Sequence, residues 1–279
     1  MRDGKIGRKL PAFAGGREWL VSGLAIGSLG LLGGFIAVPI LALFVWTVSE
    51  EAWGAMASPV ARDALILSMK TTAATMTILI VVGTPAAYVL ARGRFRGSRA
   101  LNTLVELPIV LPPSAAGIAL LLAFGRLGLV GQYLNAFGIT LSFTTVAVVM
   151  AEVFVAAPFY LRQAATGFSG VDRAIEEAAL VDGADRTAAF FRVTIPLGFP
   201  ALVAGAVTAW ARALGEFGAT IIFAGNFRRI TQTIPLAIYS EFQSNIDASV
   251  ALSVLVLGFA FAVILAVRYL TSKATEYSD

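Results

Sequence analysis

A chain of 279 residues that is 58% hydrophobic and only 14% charged is not an ordinary soluble domain, where roughly 45–50% apolar residues is usual. Cysteine and histidine are both absent, which excludes disulfides, thiolate and imidazole metal sites, zinc metalloproteases and Ser–His catalysts. The net charge of +4 calls for no nucleic acid, because the basic residues flank apolar runs, where anionic lipid headgroups meet them.

Six runs are apolar enough, and near or above the length of about 20 residues that a membrane span needs. In chain order they cover approximately 20–48, 65–90, 104–124, 143–160, 197–223 and 250–270. All six are expected to be helices, since only helices and closed barrels satisfy the backbone in lipid, and these runs do not alternate as barrel strands do. The expected fold class is all-α: a polytopic membrane protein with six transmembrane helices. One transmembrane domain over 20–270 lies between tails at 1–19 and 271–279.

The first run follows Arg2, Lys5, Arg8, Lys9 and Arg17 and precedes Ala55-Met56-Ala57. That order superficially fits a signal peptide. The run is 29 residues long, however, against about 7–15 for a signal core, so it is read as a retained helix. Cleavage would leave five spans in the same orientation.

The second run is followed by Arg92, Arg94, Arg96 and Arg99. Arg162, Arg173, Arg186 and Arg192 surround the connection between the fourth and fifth runs, and Arg268 and Lys273 follow the sixth. Fifteen basic residues therefore fall on one side, against Arg62, Arg126, Arg228 and Arg229 on the other. Lys70 and Arg212 lie within spans. The bias places both termini and the connection at about 163–196 in the cytoplasm.

The third run is interrupted by Leu107-Pro108-Ile109-Val110-Leu111-Pro112-Pro113-Ser114. Prolines remove backbone donors and kink helices, and such breaks are tolerated at membrane depth where they line protein or a wet path. A packing kink and a gate are both compatible with this segment. None of the seven aspartates lies in a predicted span, so an intramembrane aspartyl protease is not supported. No G-x4-G-K-[ST] phosphate loop is present, and no internal repeat is evident of the kind many secondary transporters show.

Between the fourth and fifth runs lies Glu177-Ala178-Ala179-Leu180-Val181-Asp182-Gly183, followed by Val193-Thr194-Ile195-Pro196. Ser169-x-x-Asp172 reads as a capping-box variant that opens a short helix through about Val181. Gly183 suits the left-handed turn that ends it. Asp185 is placed to cap a second short helix toward Arg192, with Pro196 at re-entry into the membrane. Ala178 and Ala179 keep one flank thin. Such a protruding helix-turn-helix suits a groove on another protein; an ordinary amphipathic loop is the plainer alternative.

The fifth run contains Ala211-Arg212-Ala213-Leu214-Gly215-Glu216-Phe217-Gly218-Ala219-Thr220. Arg212 and Glu216 are four residues apart, hence neighbours on one helix face. Gly205, Ala209, Arg212 and Glu216 share a small-residue stripe that permits close packing. The pair is either a structural ion pair or the source of positive potential on an anion path, with Arg212 as the cation.

The loop at 177–196 resembles the EAA loop of ABC importer permeases, E-A-A-x3-G-x9-I-x-[LI]-P. Val193 and Ile195 stand where Ile and Leu are commoner. Together with Leu107–Ser114, Ala211–Thr220 and Thr231-Gln-Thr-Ile-Pro-Leu-Ala-Ile-Tyr239, the chain resembles molybdate/tungstate ABC permeases over about residues 62–270, with sulfate/thiosulfate permeases similar. The first span lies outside that resemblance. The resemblance implies a type I ABC importer permease fold and a subunit without its own ATPase, hence no cofactor in this chain. ATP and Mg would sit on a partner.

Two copies of the chain would form a pore in the prokaryotic inner membrane. Two cytoplasmic ATPase subunits would dock on the loops, and an extracytoplasmic binding protein would deliver a tetrahedral oxyanion for alternating-access import. Glu177, Ala178, Ala179, Gly183 and Asp185 are the expected ATPase-coupling residues. Pro112, Pro113, Ser114, Arg212, Glu216, Gly218 and Thr220 are the expected pore or gate residues. No catalytic or metal residue is expected. The alternatives are a sulfate/thiosulfate ABC permease and an ATPase-independent secondary transporter.

Overall fold

The computed structural model describes residues 16–47, 50–93 and 96–276. Arg2, Lys5, Arg8, Lys9 and Arg94 of the charge argument lie outside the described residues. Every regular element among the described residues is helical.

The described residues before Glu50 form one unit and contain helix α1, Gly16–Trp46. Its stretch Gly23–Trp46 has a mean hydropathy of 2.3, long enough to cross a bilayer.

The second unit begins at Glu50. Short α2 (Glu50–Met56) leads into α3 (Pro59–Ile78), whose first turn is capped by Ser58, the side chain accepting from the Ala61 N–H. A π-turn at Leu79–Gly83 joins α3 to α4 (Thr84–Arg92), so that Pro59–Arg92 runs as one 34-residue span. Pro85 explains the widened turn. It lacks an N–H and its ring crowds the carbonyl four residues back, and a π-turn relieves both. The same device recurs at Phe190–Thr194, just before Pro196.

The third apolar run is two helices. Between α5 (Ser98–Val110) and α6 (Pro113–Phe124) the chain bends by 118°. Leu111 (φ −66°, ψ 130°) and Pro112 (φ −53°, ψ 137°) are both extended. A residue that precedes proline is pushed out of the helical region, and here that happens twice in succession. Among the described residues there are therefore five long apolar helices and one bent pair, six crossings when the pair counts as one.

α7 (Gly131–Ala136) precedes α8 (Thr145–Gly170), which Thr144 caps. α9 (Arg173–Val181) and α10 (Arg186–Ala189) follow. α10, the second π-turn and α11 (Ile195–Leu214) run on as one 29-residue helix, so Pro196 lies inside a continuous helix. The fifth run, expected over 197–223, breaks at Gly215, and α12 (Gly218–Phe223) resumes beyond it. α13 (Ile234–Phe242) and α14 (Ile246–Glu276) complete the chain.

α8 is the hub. Tyr160, Ala164 and Phe168 pack with Leu79 and Ala87 of the second span and with Leu202 and Ala209 of α11. Val148, Ala151 and Val155 pack with Leu120 of α6 and Phe223 of α12. A further cluster ties α3 to α13 and α14 through Ala64, Ile234 and Leu252.

Candidate functional site

The loop between α8 and α11 is a capped helix-turn-helix. α8 continues through Ser169, because Phe168 below it is fully buried and holds that last turn against the core. Ser169 therefore does not begin a capping box. Asp172 alone caps α9, accepting from the Ala174 N–H at 3.0 Å. Gly183 ends the turn with φ +94°, and Asp185 caps α10 by accepting from the Ala188 N–H at 2.6 Å. Glu177 and Ala178 are exposed and Ala179 is half-buried. Beside them Val181 is 87% exposed, leaving an apolar edge on the protruding element.

What fixes this element to the membrane helices is Glu176, a residue that sequence reasoning passed over. Its Oε1 accepts from Arg92 Nη2 at 2.9 Å and from Thr194 Oγ1 at 2.8 Å. Arg92 Nη2 also donates to the Val171 carbonyl at 2.7 Å. The end of the second span, the start of α9 and the π-turn before α11 thus share one polar knot. Arg92 had counted only toward orientation; an arginine at a span end gives no sign of its distant partner.

The expected gate residues gather where the two broken spans meet. A Cβ added to Gly218 would lie 2.5 Å from Pro113 Cβ and 3.3 Å from the Ser114 nitrogen, so only glycine permits α12 to begin against α6. Pro112, Pro113 and Ser114 are exposed along this break. Arg212 Nη2 and Glu216 Oε2 form an ion pair at 2.7 Å, with the Glu216 side chain almost wholly buried. Glu216 Oε1 accepts from the Ala219 N–H at 2.7 Å. The carboxylate therefore bridges the end of α11 and the start of α12. Thr220 is fully buried with its hydroxyl unpartnered among the described residues.

A second buried carboxylate was missed. Glu152 of α8 is 2% exposed. Its Oε1 and Oε2 accept from Thr71 Oγ1 at 2.7 Å and Thr75 Oγ1 at 2.8 Å. The signal was present: a lone acid in an apolar run, and Ser68, Thr71, Thr72 and Thr75 at helical spacing in another. Ser68 extends the stripe by accepting from the Ile234 N–H at 2.9 Å.

Long apolar helices, two broken spans that meet at Pro113 and Gly218, and a capped element tied to the end of the second span describe a membrane protein with a rigid protruding element. Residues 80–276 match the family described as "Binding-protein-dependent transport system inner membrane component", and the chain belongs to that family. It is 44% identical to the "Molybdenum transport system permease protein ModB" of Mycobacterium tuberculosis, over 87% of this chain and 92% of that one. It is 31% identical to the "Molybdate/tungstate transport system permease protein WtpB" of Pyrococcus abyssi, over 93% of this chain and 99% of that one. The fold matches a chain of a bacterial ABC transporter involved in the import of alginate, with TM-score 0.72 and 16% identity, covering 92% of this chain and 96% of that one.

Proposed function

We propose that this chain is the pore-forming subunit of an ATP-driven importer for molybdate or tungstate. The observation that carries the reading is the relationship to permeases named for molybdenum and molybdate/tungstate at 31–44% identity over most of the chain. The sulfate/thiosulfate alternative has no comparable support. In this reading one permease domain spans 20–270, and the tails at 1–19 and 271–279 lie in the cytoplasm of a prokaryotic cell.

Two copies enclose the pore, in line with the two-fold symmetry usual for identical subunits. The α9–α10 element is the dock for a cytoplasmic ATPase, with Glu177, Ala178, Ala179, Gly183 and Asp185 forming or shaping the contact. ATP and Mg bind that partner, and a binding protein on the outer side supplies the oxyanion. The Arg92–Glu176–Thr194 knot supports a mechanical role, because a rigid link passes displacement of the loop to two spans at once. The break formed by Pro112, Pro113, Ser114, Gly218 and Thr220, braced by Arg212 and Glu216, is the moving gate. Alternating access then needs two arrangements of one bundle.

The test is uptake of labelled molybdate by vesicles holding this chain with its ATPase and binding protein, with tungstate and sulfate as competitors. Import that needs ATP, falls with tungstate and ignores sulfate supports the reading. Import without the ATPase, or equal competition by sulfate, contradicts it.

A further inference from the structure

We propose that the end of the second span opposite the α9–α10 element carries a binding site for a tetrahedral oxyanion, made by Lys70, Arg228 and Arg229 around Asp63. The proposal rests on the oxyanion-import reading and names the place where the anion enters this chain from the outer side. A cavity of about 180 Å³ is lined there by Asp63, Ile66, Leu67, Lys70 and Arg229. A water occupies roughly 30 Å³ of liquid, so an oxyanion fits with a few of its waters.

The charges do not balance. Asp63 Oδ2 takes both Arg228 Nη2 at 3.1 Å and Arg229 Nε at 2.8 Å. Lys70 lines the same cavity, and no carboxylate pairs with it among the described residues. Three cations around one carboxylate leave two positive charges, the complement of a dianion.

Lys70 lies within the second span and is exposed on the single chain. It is the twelfth residue of α3, about 16 Å along the axis from the first at 1.5 Å per residue. An unpaired ammonium at that depth is costly, and such residues face wet cavities or ion paths. Side chains tilt toward a helix N-terminus, which directs Lys70 up toward Arg229. The exposed face below it carries Ala73, Ala74 and Thr77, small residues that leave room beside the helix.

Arg229 is held in place at some cost. Its φ is +66°, a region that residues other than glycine seldom occupy. The turn is pinned, since the Phe227 carbonyl accepts from the N–H groups of Ile230, Thr231 and Gln232, and Thr231 Oγ1 accepts from the Phe227 N–H. Strain kept by surrounding bonds is common at ligand sites. With no anion bound, Asp63 holds the two guanidiniums at the mouth. A dianion entering between Arg229 and Lys70 competes for them, so it is attracted yet held loosely enough to move on.

The native chain has no cysteine, so Lys70→Cys introduces its only thiol. In right-side-out vesicles carrying the full importer, Lys70→Cys should lower molybdate uptake at subsaturating substrate about tenfold, the size of one charge-assisted contact. ATP hydrolysis stimulated by the loaded binding protein should persist. A cationic aminoethyl thiosulfonate reagent should restore most of the uptake, and the anionic sulfonatoethyl reagent should not. Arg229→Gln, on the loop, should independently reduce uptake with hydrolysis retained.

Wild-type uptake by both variants, or equal effects of the two reagents, overturns the proposal. Loss of stimulated hydrolysis together with uptake assigns the cluster to docking the binding protein and also overturns it. A defect confined to vesicles rich in anionic lipid assigns the charges to headgroups, with the same consequence. Failure of the wild-type importer to move any oxyanion is a different result, which removes the functional reading itself.

Discussion

Arg92, the last residue of α4, is bonded to Glu176 in the first turn of α9 at 2.9 Å, with both side chains largely withdrawn from solvent. One guanidinium nitrogen thereby joins a membrane helix to the protruding loop. The neighbouring Glu177, first residue of the EAA pattern, is exposed.

Replacing Arg92 by Met should therefore disturb transmission more than folding. The loss strands a carboxylate that keeps only Thr194 Oγ1 as donor, a cost of about 1–3 kcal/mol. Uptake in reconstituted vesicles is expected to fall while the ATPase still assembles and hydrolyses ATP. Normal uptake by Arg92→Met would show that the link transmits nothing.

Gly183 has φ +94° and open space where a Cβ would stand, so a substitution there is opposed by backbone strain alone. Gly183→Val should cost about 1–2 kcal/mol locally, shift the turn and uncouple hydrolysis from uptake. Gly183→Asn, better suited to the left-handed region, should retain more activity. The same uptake-to-hydrolysis ratio in both variants would count against the turn as a coupling device.

The pairing of Arg212 with Glu216 makes a directional forecast. Arg212→Met leaves a buried carboxylate with only the Ala219 N–H as partner, and breaking a buried pair costs about 3–5 kcal/mol. Adding Glu216→Gln removes the stranded charge and keeps an acceptor for Ala219. The double variant should recover assembly and a higher unfolding midpoint than Arg212→Met. If its uptake stays low despite that recovery, Arg212 acts on the anion as well as on packing. Independent, additive single effects would argue against coupling.

Glu152 is clasped by Thr71 and Thr75 of α3 from both oxygens. Glu152→Leu removes both acceptors; Thr71 can still donate to the Ser68 carbonyl at 3.2 Å, but the buried Thr75 hydroxyl loses its partner, at about 1–3 kcal/mol. Glu152→Gln keeps one oxygen acceptor and can donate to the other threonine, so its unfolding midpoint in detergent should fall less. A larger fall for Gln than for Leu would mean that the cost of burying a polar side chain outweighs these hydrogen bonds.

The sequence by itself determined what depends on neighbours within about one helical turn. Hydropathy gave the membrane class and the apolar spans, because crossing a bilayer requires long runs of saturated backbone. Asp185, Gly183 and the Arg212–Glu216 pair were legible for the same reason, since caps and i,i+4 contacts join residues close in the chain. Ser169 was misread because Phe168 packing carries α8 on to Gly170, beyond the fourth apolar run and past Ser169 itself. Tertiary structure alone decided that Arg92 meets Glu176 across 84 positions and Thr71 meets Glu152 across 81. It alone set the broken third and fifth spans against each other at Pro113 and Gly218. These contacts follow from which faces the packed helices present to one another, and no local periodicity encodes that choice.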